Sequence, residues 1–257
     1  MVAGASIAGF HIVIPARYSS VRLPGKALKM IAGAPLVEHV FRCATRAQPD
    51  SIAIATDDKR IMQAAAEFGA QAVMTSTDHQ SGSDRIAEVA DIKGWSDDTL
   101  VVNLQGDEPL MPAICLRQVA RMLIQSPAAD AASLYWPIDD VAELADPNVV
   151  KVVLDDQGMA LSFSRESIPP DADQTHSQPR TELSGRNRHV GLYAYRVGTL
   201  RRFRSTAPAE LELKERLEQL RILSWGGQIA MEKAIAHIPA GVDTADDLAR
   251  VRGIIVE

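Results

Sequence analysis

Two separated segments of the chain carry the residue types that phosphate chemistry requires. The first, residues 15–26, follows an apolar run and supplies three cations, Arg17, Arg22 and Lys26. The second, residues 103–109, follows another apolar run and supplies carboxylates, among them Asp107. Cations bind phosphate oxygens and a carboxylate can hold a divalent metal, so the two segments together indicate phosphoryl or nucleotidyl transfer. The alternatives are a solvated basic loop and an aspartate that caps the turn before Pro109.

A second carboxylate would strengthen the metal signal, because one aspartate alone is weak evidence. Asp243, in a Gly-Val-Asp-Thr run, is the candidate. Both aspartates would suit Mg²⁺, a hard ion that prefers oxygen ligands and often keeps several waters. Asp243 also precedes a predicted helix, so it is equally a candidate for a helix cap together with Thr244.

A third polar run opens a predicted helix and reads Ser81-Gly82-Ser83-Asp84-Arg85. A helix start presents free N–H groups, and small residues there let a base or a phosphate approach the backbone closely. The competing interpretation is an N-cap box, in which Ser81 pairs with Asp84 three residues later. Physical reasoning alone leaves both interpretations open.

Polar residues that could meet an acidic substrate are scattered through the second half of the chain. Arg165 and His189 flank a polar segment, and an acidic substrate would want an Arg and a His or Tyr beside it. A lone Arg or His at a strand end is equally typical of surface pairing. Glu218 and Gln219 lie inside a Leu-striped helical pattern, where a solvated helix face explains them as well.

The elements that must position these residues alternate between strand and helix in the first half. Apolar strand patterns occupy residues 10–14, 51–55, 71–74 and 100–104. Helical patterns occupy residues 35–46, 58–68, 81–93 and 112–125, with Asp57 as a candidate N-cap and Pro112 at a first helical position. This order predicts an α/β fold with a doubly wound, mostly parallel sheet. Ligands of such sheets bind at the carboxyl ends of the strands.

The second half changes to a β-rich pattern. Strands are predicted at residues 131–136, 149–154, 160–164, 189–195 and 229–238, and helices at 211–223 and 244–255. The polar segment 169–187 is predicted to be a mobile loop or lid. We expect one continuous domain, residues 1–257, whose β-rich insertion in the mixed sheet could cover the site or pair with a second subunit.

Composition excludes several classes of protein. The chain has 257 residues, 46% of them hydrophobic, and a net charge of −6, which argues against a general nucleic-acid binder. The two cysteines lie in apolar helical patterns, as expected of buried, reduced thiols in a cytosolic protein. No run approaches the roughly 20 apolar residues that cross a bilayer. Residues 1–9 lack the basic region of a signal peptide, so we expect a frayed leader.

Several runs together carry a resemblance to one family. Arg-Leu-Pro-Gly-Lys at 22–26 is typical of the wider nucleotidyltransferase superfamily. More specific runs are Asp-His-Gln-Ser-Gly at 78–82, His-Val-Gly-Leu-Tyr at 189–193 and Leu-Glu-Gln-Leu-Arg at 217–221. With these runs, the chain from residue 12 to 248 resembles the 3-deoxy-manno-octulosonate (KDO) cytidylyltransferases, which have a nucleotide-diphospho-sugar transferase-like fold. The departures are modest: Ser83-Asp84 stands where the family often has Thr-Glu, and the segment between 170 and 186 has its own sequence.

The resemblance implies transfer of CMP from CTP to KDO, with release of pyrophosphate, for lipopolysaccharide synthesis. It implies a nucleotide-binding half, residues 10–125, and a half for sugar binding and dimerisation, residues 126–257. It also implies Mg²⁺ on Asp107 and Asp243, a cytoplasmic homodimer, and no nucleic-acid or membrane partner. The implied CTP-binding residues are Ala16, Arg17, Arg22, Lys26, Ser81, Gly82 and Arg85. The implied sugar-binding residues are Gln105, Arg165, His189, Tyr193, Glu218 and Gln219.

Catalysis would then rest on Arg17, Lys26, Asp107 and Asp243. We expect direct in-line attack by the 2-hydroxyl of KDO on the α-phosphorus, because no Cys, Ser or His constellation indicates a covalent intermediate. Rival hypotheses are a related sugar acid (8-amino KDO or a sialic acid), a nucleotide other than CTP, and a nucleotide-binding regulator that has lost catalysis. A dinucleotide oxidoreductase fits less well, because no Gly-x-Gly-x-x-Gly follows the first strand.

Overall fold

A computed structural model describes residues 9–20, 22–79, 81–168, 183 and 185–256. The strands of the described chain are β1 (His11–Pro15), β2 (Met30–Ile31), β3 (Ala34–Pro35), β4 (Ser51–Thr56), β5 (Ala72–Met74), β6 (Leu100–Asn103), β7 (Ala131–Pro137), β8 (Lys151–Leu154), β9 (Ala160–Ser164), β10 (Asn187–Arg196) and β11 (Ile229–Lys233). The helices are α1 (Leu36–Arg46), α2 (Lys59–Glu67), α3 (Gly82–Ile92), α4 (Ala113–Gln125), α5 (Val141–Ala145), α6 (Val197–Ser205), α7 (Glu210–Glu215), α8 (Leu220–Ser224) and α9 (Ala245–Ile254). A short 3₁₀ helix covers Lys26–Leu28.

One mixed sheet organises these elements in the order β11-β7-β10-β6-β1-β4-β5. Only β10 in this path runs antiparallel to its neighbours, β6 and β7. The remaining pairs in the path are parallel. Off the path, β8 and β9 form an antiparallel hairpin in which β8 also pairs with the start of β10. The prediction of a mostly parallel α/β sheet is therefore confirmed.

Both faces of the sheet are covered by helices, which explains why β1 is apolar at successive positions. Ile12 and Ile14 belong to one core cluster, together with residues of α1 and α4. Val13 points to the other face and joins a second cluster with residues of α3 and α6. All three are fully buried. A strand that is buried on both faces reads as a continuous hydrophobic run rather than as an alternating one.

Two helix starts differ by one residue from the sequence prediction. The N-cap of α2 is Asp58, whose carboxylate accepts a hydrogen bond from the Arg60 N–H, and not Asp57. Pro112 is the N-cap of α4, and the helix begins at the next residue. The Asp57 carboxylate is thereby available to a distant partner, as described below.

The prediction of one helix over residues 211–223 is wrong. The chain forms α7, leaves the helical conformation at Arg216 with φ of 56°, and then forms α8. The predicted Leu stripe is split, because Leu213 is 65% exposed whereas Leu217 is buried. A buried Arg221–Glu212 pair, with N···O distances of 2.8 and 2.5 Å, ties α8 back to α7.

Several smaller features complete the comparison with the predicted elements. Helix α6 was not predicted, and β11 ends at Lys233 rather than at residue 238. Most of the predicted lid, residues 169–182 and 184, lies outside the described residues. Both cysteines are buried and free, as predicted. Within the described ranges, no helix combines the length and the apolar character needed to cross a membrane.

Candidate active site

A first cleft forms where the loops after β1 and β6 meet. These strands are parallel neighbours, with His11 opposite Val101 and Val13 opposite Asn103, so their carboxyl ends lie side by side. Gly106 permits the close approach, because a Cβ there would lie 2.7 Å from the Pro15 carbonyl oxygen. The cleft has a volume of about 270 Å³. Its lining residues are Pro15, Ala16, Arg17, Ser20, Arg22, Lys26, Ala27, Gln105, Gly106, Asp107 and Asp243.

Lys26 stands at the centre of the charged groups in this cleft. Its ammonium donates to Asp107 Oδ2 at 2.6 Å and to Asp243 Oδ1 at 3.0 Å. The second Asp243 oxygen pairs with Arg22 Nη2 at 3.0 Å. Burial opposes the charge on Lys26, but the two carboxylates outweigh it and raise the pKa of Lys26. The structure therefore brings together the separated cations and carboxylates, and two carboxylates meet on the Lys26 nitrogen.

The segment that carries Asp243 is docked on the segment that carries Asp107. The Val242 N–H donates to the Asp107 carbonyl oxygen at 2.8 Å. Gly241 passes so close that a Cβ would lie 2.8 Å from the same oxygen. The N-cap of α9 is Thr244, which accepts from the Asp247 N–H. Since Thr244 supplies the cap, the Asp243 carboxylate is free to pair with Arg22 and Lys26, its two ionic partners in the described part of the chain.

Glu108 lies behind the two aspartates and differs from them in charge. Burial raises the pKa of Glu108 to about 8, and the neighbouring Asp107 and Asp243 charges add to the effect. Its Oε2 atom is buried and has no hydrogen-bond partner among the described residues. Near neutral pH this carboxyl is predominantly protonated, so the negative charge of the cluster resides on the two aspartates.

A second, smaller cleft of about 150 Å³ adjoins the first and shares four of its residues, Pro15, Ala16, Arg17 and Gln105. Its other lining residues are His79, Ser81, Gly82 and Arg85, at the start of α3. Arg17 therefore faces both clefts. Its side chain makes no ion pair with any residue in the described part of the chain, so its charge is available to a ligand.

The start of α3 is capped by Ser81, which is the structural one of the two interpretations of this run. Ser81 is the N-cap, and its hydroxyl accepts from the Asp84 N–H at 3.1 Å. Arg85 is buried and pairs with Asp57 at 2.8 Å, while its other nitrogen donates to Thr75 Oγ1. The guanidinium therefore supports the wall of the cleft from behind. Its predicted contact with a nucleoside remains a prediction.

His79 is a wall residue that sequence reasoning did not select, although it lies in a quoted run. Its Nε2 atom contacts Glu88 Oε2, and the same carboxylate oxygen accepts from the Ser76 N–H at 2.9 Å. The carboxylate thus holds the imidazole against the second cleft. The signal that could have identified it is its place two residues before the predicted helix start.

The predicted sugar-binding residues include a buried group on β10. Tyr193 lies opposite Asn103 of β6 and Ser133 of β7, so the three side chains share one face of the sheet. The rings of His189 and Tyr193 have centroids 5.2 Å apart, and Ser133 Oγ lies 3.1 Å from His189 Nε2. Burial lowers the pKa of His189 to about 3, so the ring is neutral near pH 7. The buried Tyr193 hydroxyl has no hydrogen-bond partner among the described residues.

Glu218 and Gln219 occupy the turn between α7 and α8 rather than a solvated helix face. Glu218 Oε1 accepts from Ser83 Oγ at 3.0 Å, which connects this turn to the first turn of α3. Burial raises the pKa of Glu218. Gln219 is only 4% exposed, and its buried Nε2 has no partner among the described residues. The interpretation of these two residues as a solvated face is therefore wrong.

Arg165 is held by backbone carbonyl groups. Its Nε donates to the Glu215 carbonyl at 2.8 Å and its Nη1 to the Pro147 carbonyl at 3.0 Å. Its hairpin reaches the β10 group, because the Phe163 ring lies 5.0 Å from that of His189. Within the described chain, no hydrogen bond or ion pair joins Arg165 to another predicted sugar-binding residue. Gln105, by contrast, lines both clefts.

Comparison with known proteins places this geometry in a family. The cytidylyltransferase family model matches residues 11–233. A 3-deoxy-manno-octulosonate cytidylyltransferase of Thioalkalivibrio sulfidiphilus is 49% identical over 246 residues, which cover 96% of this chain and 98% of that protein. One of Aeromonas hydrophila is 47% identical over 250 residues, with coverage of 96% and 98%.

Solved structures agree. A CMP:2-keto-3-deoxy-manno-octonic acid synthetase complexed with CTP is similar with a TM-score of 0.86 and 39% identity, covering 96% of this chain and 98% of that one. A 4-diphosphocytidyl-2C-methyl-D-erythritol synthase, 14% identical with a TM-score of 0.61, covers 96% and 98% and shares the fold alone. With nearly half of its residues identical to full-length relatives, the chain belongs to the 3-deoxy-manno-octulosonate cytidylyltransferase family.

Proposed function

We propose that this protein transfers CMP from CTP to KDO, giving CMP-KDO and pyrophosphate for lipopolysaccharide synthesis. The observation that carries the proposal is the meeting of Lys26, Asp107 and Asp243 in a cleft that adjoins the start of α3. The relatives that share this sequence over almost their whole length bear the name of the reaction.

The nucleotide would lie across both clefts. The cation-bearing first cleft suits the triphosphate, and the second cleft suits the nucleoside. Arg17 faces both, so it can neutralise phosphate charge at their junction. Arg22 and Lys26 would stabilise the charge that develops on the departing pyrophosphate. Preorganised charges of this kind typically contribute about 3 kcal/mol each to the stability of a transition state.

Attack is direct and comes from the anomeric 2-hydroxyl of the sugar acid. Burial raises the pKa of both cysteine thiols, and the Cys43 thiol is occupied with the Pro109 carbonyl, so neither offers a thiolate. The chain therefore acts by positioning two substrates in one geometry and by neutralising charge. In one step, a bond forms from the sugar oxygen to the α-phosphorus, the bond to pyrophosphate breaks, and the proton of the hydroxyl passes to water.

Asp107 and Asp243 fit a magnesium site. Both carboxylates face the same cationic nitrogen, and Mg²⁺ is commonly held by one or two carboxylates together with phosphate oxygens and water. When bound, the metal supplies charge neutralisation at the α-phosphate. Among the described residues no third acidic, His or Cys side chain completes a larger ligand group, so the substrate phosphates must contribute oxygen ligands.

The sugar acid would be bound by Gln105, Arg165, His189, Tyr193, Glu218 and Gln219. Neutral His189 and the partnerless donors of Tyr193 and Gln219 suit sugar hydroxyl groups, and Arg165 suits the carboxylate. This assignment makes residues 10–125 the nucleotide-binding half and residues 126–257 the half for sugar binding and dimerisation. A cytoplasmic homodimer is part of the proposal, since CTP is a cytoplasmic substrate.

The test is release of pyrophosphate from CTP in the presence of KDO and Mg²⁺. Each component is omitted in turn, and 8-amino KDO, a sialic acid and UTP are assayed in parallel. We expect release only with all three components and a clear preference for CTP and KDO. Release with another sugar acid alone would change the substrate and keep the chemistry. Binding of CTP with no release for any sugar acid would refute the proposal in favour of a nucleotide-binding regulator.

A further inference from the structure

Lys151, on β8, is a buried cation that forms no ion pair with a carboxylate in the described part of the chain, although the charges of Asp146 and Glu166 act on it through space. The residue is only 1% exposed. Its ammonium donates to two backbone carbonyl groups, those of Asp146 at 2.8 Å and Arg165 at 3.0 Å. Lysine is almost never fully buried unless it is paired, because removing its charge from water is costly. Burial accordingly lowers the pKa of Lys151. A cost of this kind calls for an explanation beyond packing.

The surroundings of Lys151 indicate what it holds. One of its two acceptors is the carbonyl of Arg165, whose guanidinium in turn donates to the Pro147 carbonyl next to Asp146. The side chains of Lys151 and Arg165 therefore both connect the backbone at residues 146–147 to the backbone at residue 165. The Glu215 carboxylate completes the frame by accepting from Ser164 Oγ at 2.9 Å and from the Arg165 N–H at 3.0 Å.

Lys151 also lies beside the strand that carries His189. It is opposite Arg188 in the pairing of β8 with β10, and the preceding residue, Val150, accepts a hydrogen bond from the His189 N–H at 2.7 Å. The backbone of Lys151 thus lies between β9, which leads to Arg165, and β10, which carries His189. Within the described residues, the Lys151 ammonium makes no hydrogen bond or ion pair with a residue that lines the first or second cleft.

We propose that Lys151 is a positioning residue for the sugar-acid site, which fixes the backbone of Arg165 and so the placement of its guanidinium. The inference rests on the proposed function, because it takes Arg165 as a ligand of the sugar carboxylate. Lys151 does not touch substrate. Its ammonium shares the Asp146 carbonyl with the Val149 N–H, but no other described residue donates to the Arg165 carbonyl. An apolar residue at position 151 would therefore leave the Arg165 carbonyl without a donor, and the frame around Arg165 would loosen.

The experiment compares Lys151→Met, Arg165→Met and the double variant by steady-state kinetics with each substrate varied in turn. Methionine keeps the length of the side chain and removes the charge and the donors. We expect Lys151→Met to raise KM for KDO about tenfold and to leave KM for CTP within twofold. The double variant should match Arg165→Met alone, because Lys151 acts through Arg165. Lys151→Arg, which keeps charge and donors, should restore most of the affinity for KDO.

Lys233→Met, at the exposed end of β11, is the matched control for removing a strand lysine. CTP affinity by calorimetry and the melting temperature show whether each variant is folded, and Lys151→Gln replaces Lys151→Met if the latter unfolds. Equal effects on both substrates, an unchanged KM for KDO, or multiplying effects in the double variant would overturn the inference. The wild-type enzyme is assayed first with each sugar acid. A failure of KDO as substrate is therefore seen separately, and the variants are then compared on the acid that reacts.

Discussion

The two halves of the site differ in how completely their polar groups are satisfied. Around the first cleft, the Lys26 ammonium is shared by two carboxylates, and Arg22 binds the second of them. Around β10 and the α7–α8 turn, the Tyr193 hydroxyl and the Gln219 amide nitrogen are buried without partners in the described chain. The ionised groups on the proposed nucleotide side therefore pair with one another, although Glu108 Oε2 and Asn103 Nδ2 behind them have no partner in the described chain. On the proposed sugar side, the buried groups without partners are donors that a ligand could satisfy.

This difference has consequences for the stability of the two sides of the site and for their part in catalysis. A charged cluster that already has its internal partners must exchange them when phosphate enters, but its backbone frame does not need to move. A buried donor without a partner costs about 1–3 kcal/mol until an acceptor arrives. We therefore expect that removing an unpaired donor on the sugar side raises the free energy of unfolding. Substitutions on the nucleotide side should instead mainly lower kcat. The following predictions test this contrast.

Asp107→Ala should produce the largest effect and confine it to turnover. Loss of this carboxylate removes a proposed metal ligand and one partner of Lys26, so we expect kcat to fall about a hundredfold or more. Unfolding by denaturant should show little change in stability. Asp98→Ala, at an exposed position, is the control. A near-normal rate at saturating Mg²⁺ would remove the metal assignment and with it the contrast between the halves.

The contrast also explains what could be predicted from sequence. Lys26 and Asp107 lie in the segments that follow β1 and β6, which are parallel neighbours, so the rule that strand ends meet at one edge is enough to place the two segments together. Glu218 could not be placed in this way. Its position depends on a left-handed residue at Arg216 and on the buried Arg221–Glu212 pair, and neither leaves a periodic signal. Leu213, Leu217 and Leu220 have helical spacing, yet the first of them is exposed.

The N-caps of α2 and α3 show why smaller details could not be predicted. Asp57 and Asp58 are equivalent N-cap candidates in sequence, and only the distant Arg85 distinguishes them, since it binds Asp57. In the same way, Ser81 fitted both a capping role and a ligand role. The structure shows the cap, and the ligand role remains a prediction. Sequence patterns thus located the nucleotide side well, whereas contacts far apart in the chain define the sugar side.

His189→Gln should make the protein less sensitive to acid, because the wild type loses stability at low pH through His189. Burial lowers the folded-state pKa of His189 from 6.5 to about 3, so its contribution to stability is present above pH 6.5 and is lost as the pH falls towards 3. We expect the wild type to lose about 3 kcal/mol more than the variant between pH 7 and pH 4. Denaturant unfolding at both pH values measures this. His237→Gln, at an exposed histidine, should not change the slope; an equal slope in His189→Gln would show that the ring is not buried neutral.

Tyr193→Phe should trade affinity for stability. The Tyr193 hydroxyl makes no hydrogen bond of normal geometry among the described residues, although it lies beside Ser133. Its removal should stabilise the protein by about 1 kcal/mol, because its desolvation cost disappears. If the hydroxyl binds the sugar acid, KM for KDO should rise about fivefold with KM for CTP unchanged. Tyr195→Phe is the matched control, since Tyr195 stacks on Tyr193 and its hydroxyl lies beside Ser83. A stabilised variant with an unchanged KM for KDO would contradict this prediction, because it would show that the Tyr193 hydroxyl does not bind the sugar acid.

Arg216→Gly should have the smallest effect and tests the turn that presents Glu218 and Gln219. Arg216 is exposed and has φ of 56°. This conformation costs a residue with a Cβ roughly 1–2 kcal/mol. Glycine avoids that cost but loses more conformational entropy on folding, which offsets part of the gain. We expect a net stabilisation of about 0.5 kcal/mol. Gln48→Gly, at the exposed residue with φ of 55° after α1, is the equivalent change on the nucleotide side. Equal gains would mean that both turns carry only backbone strain. A loss for Arg216→Gly beside a gain for Gln48→Gly, together with a raised KM for KDO, would show that the rigidity of the α7–α8 turn is itself part of the sugar site.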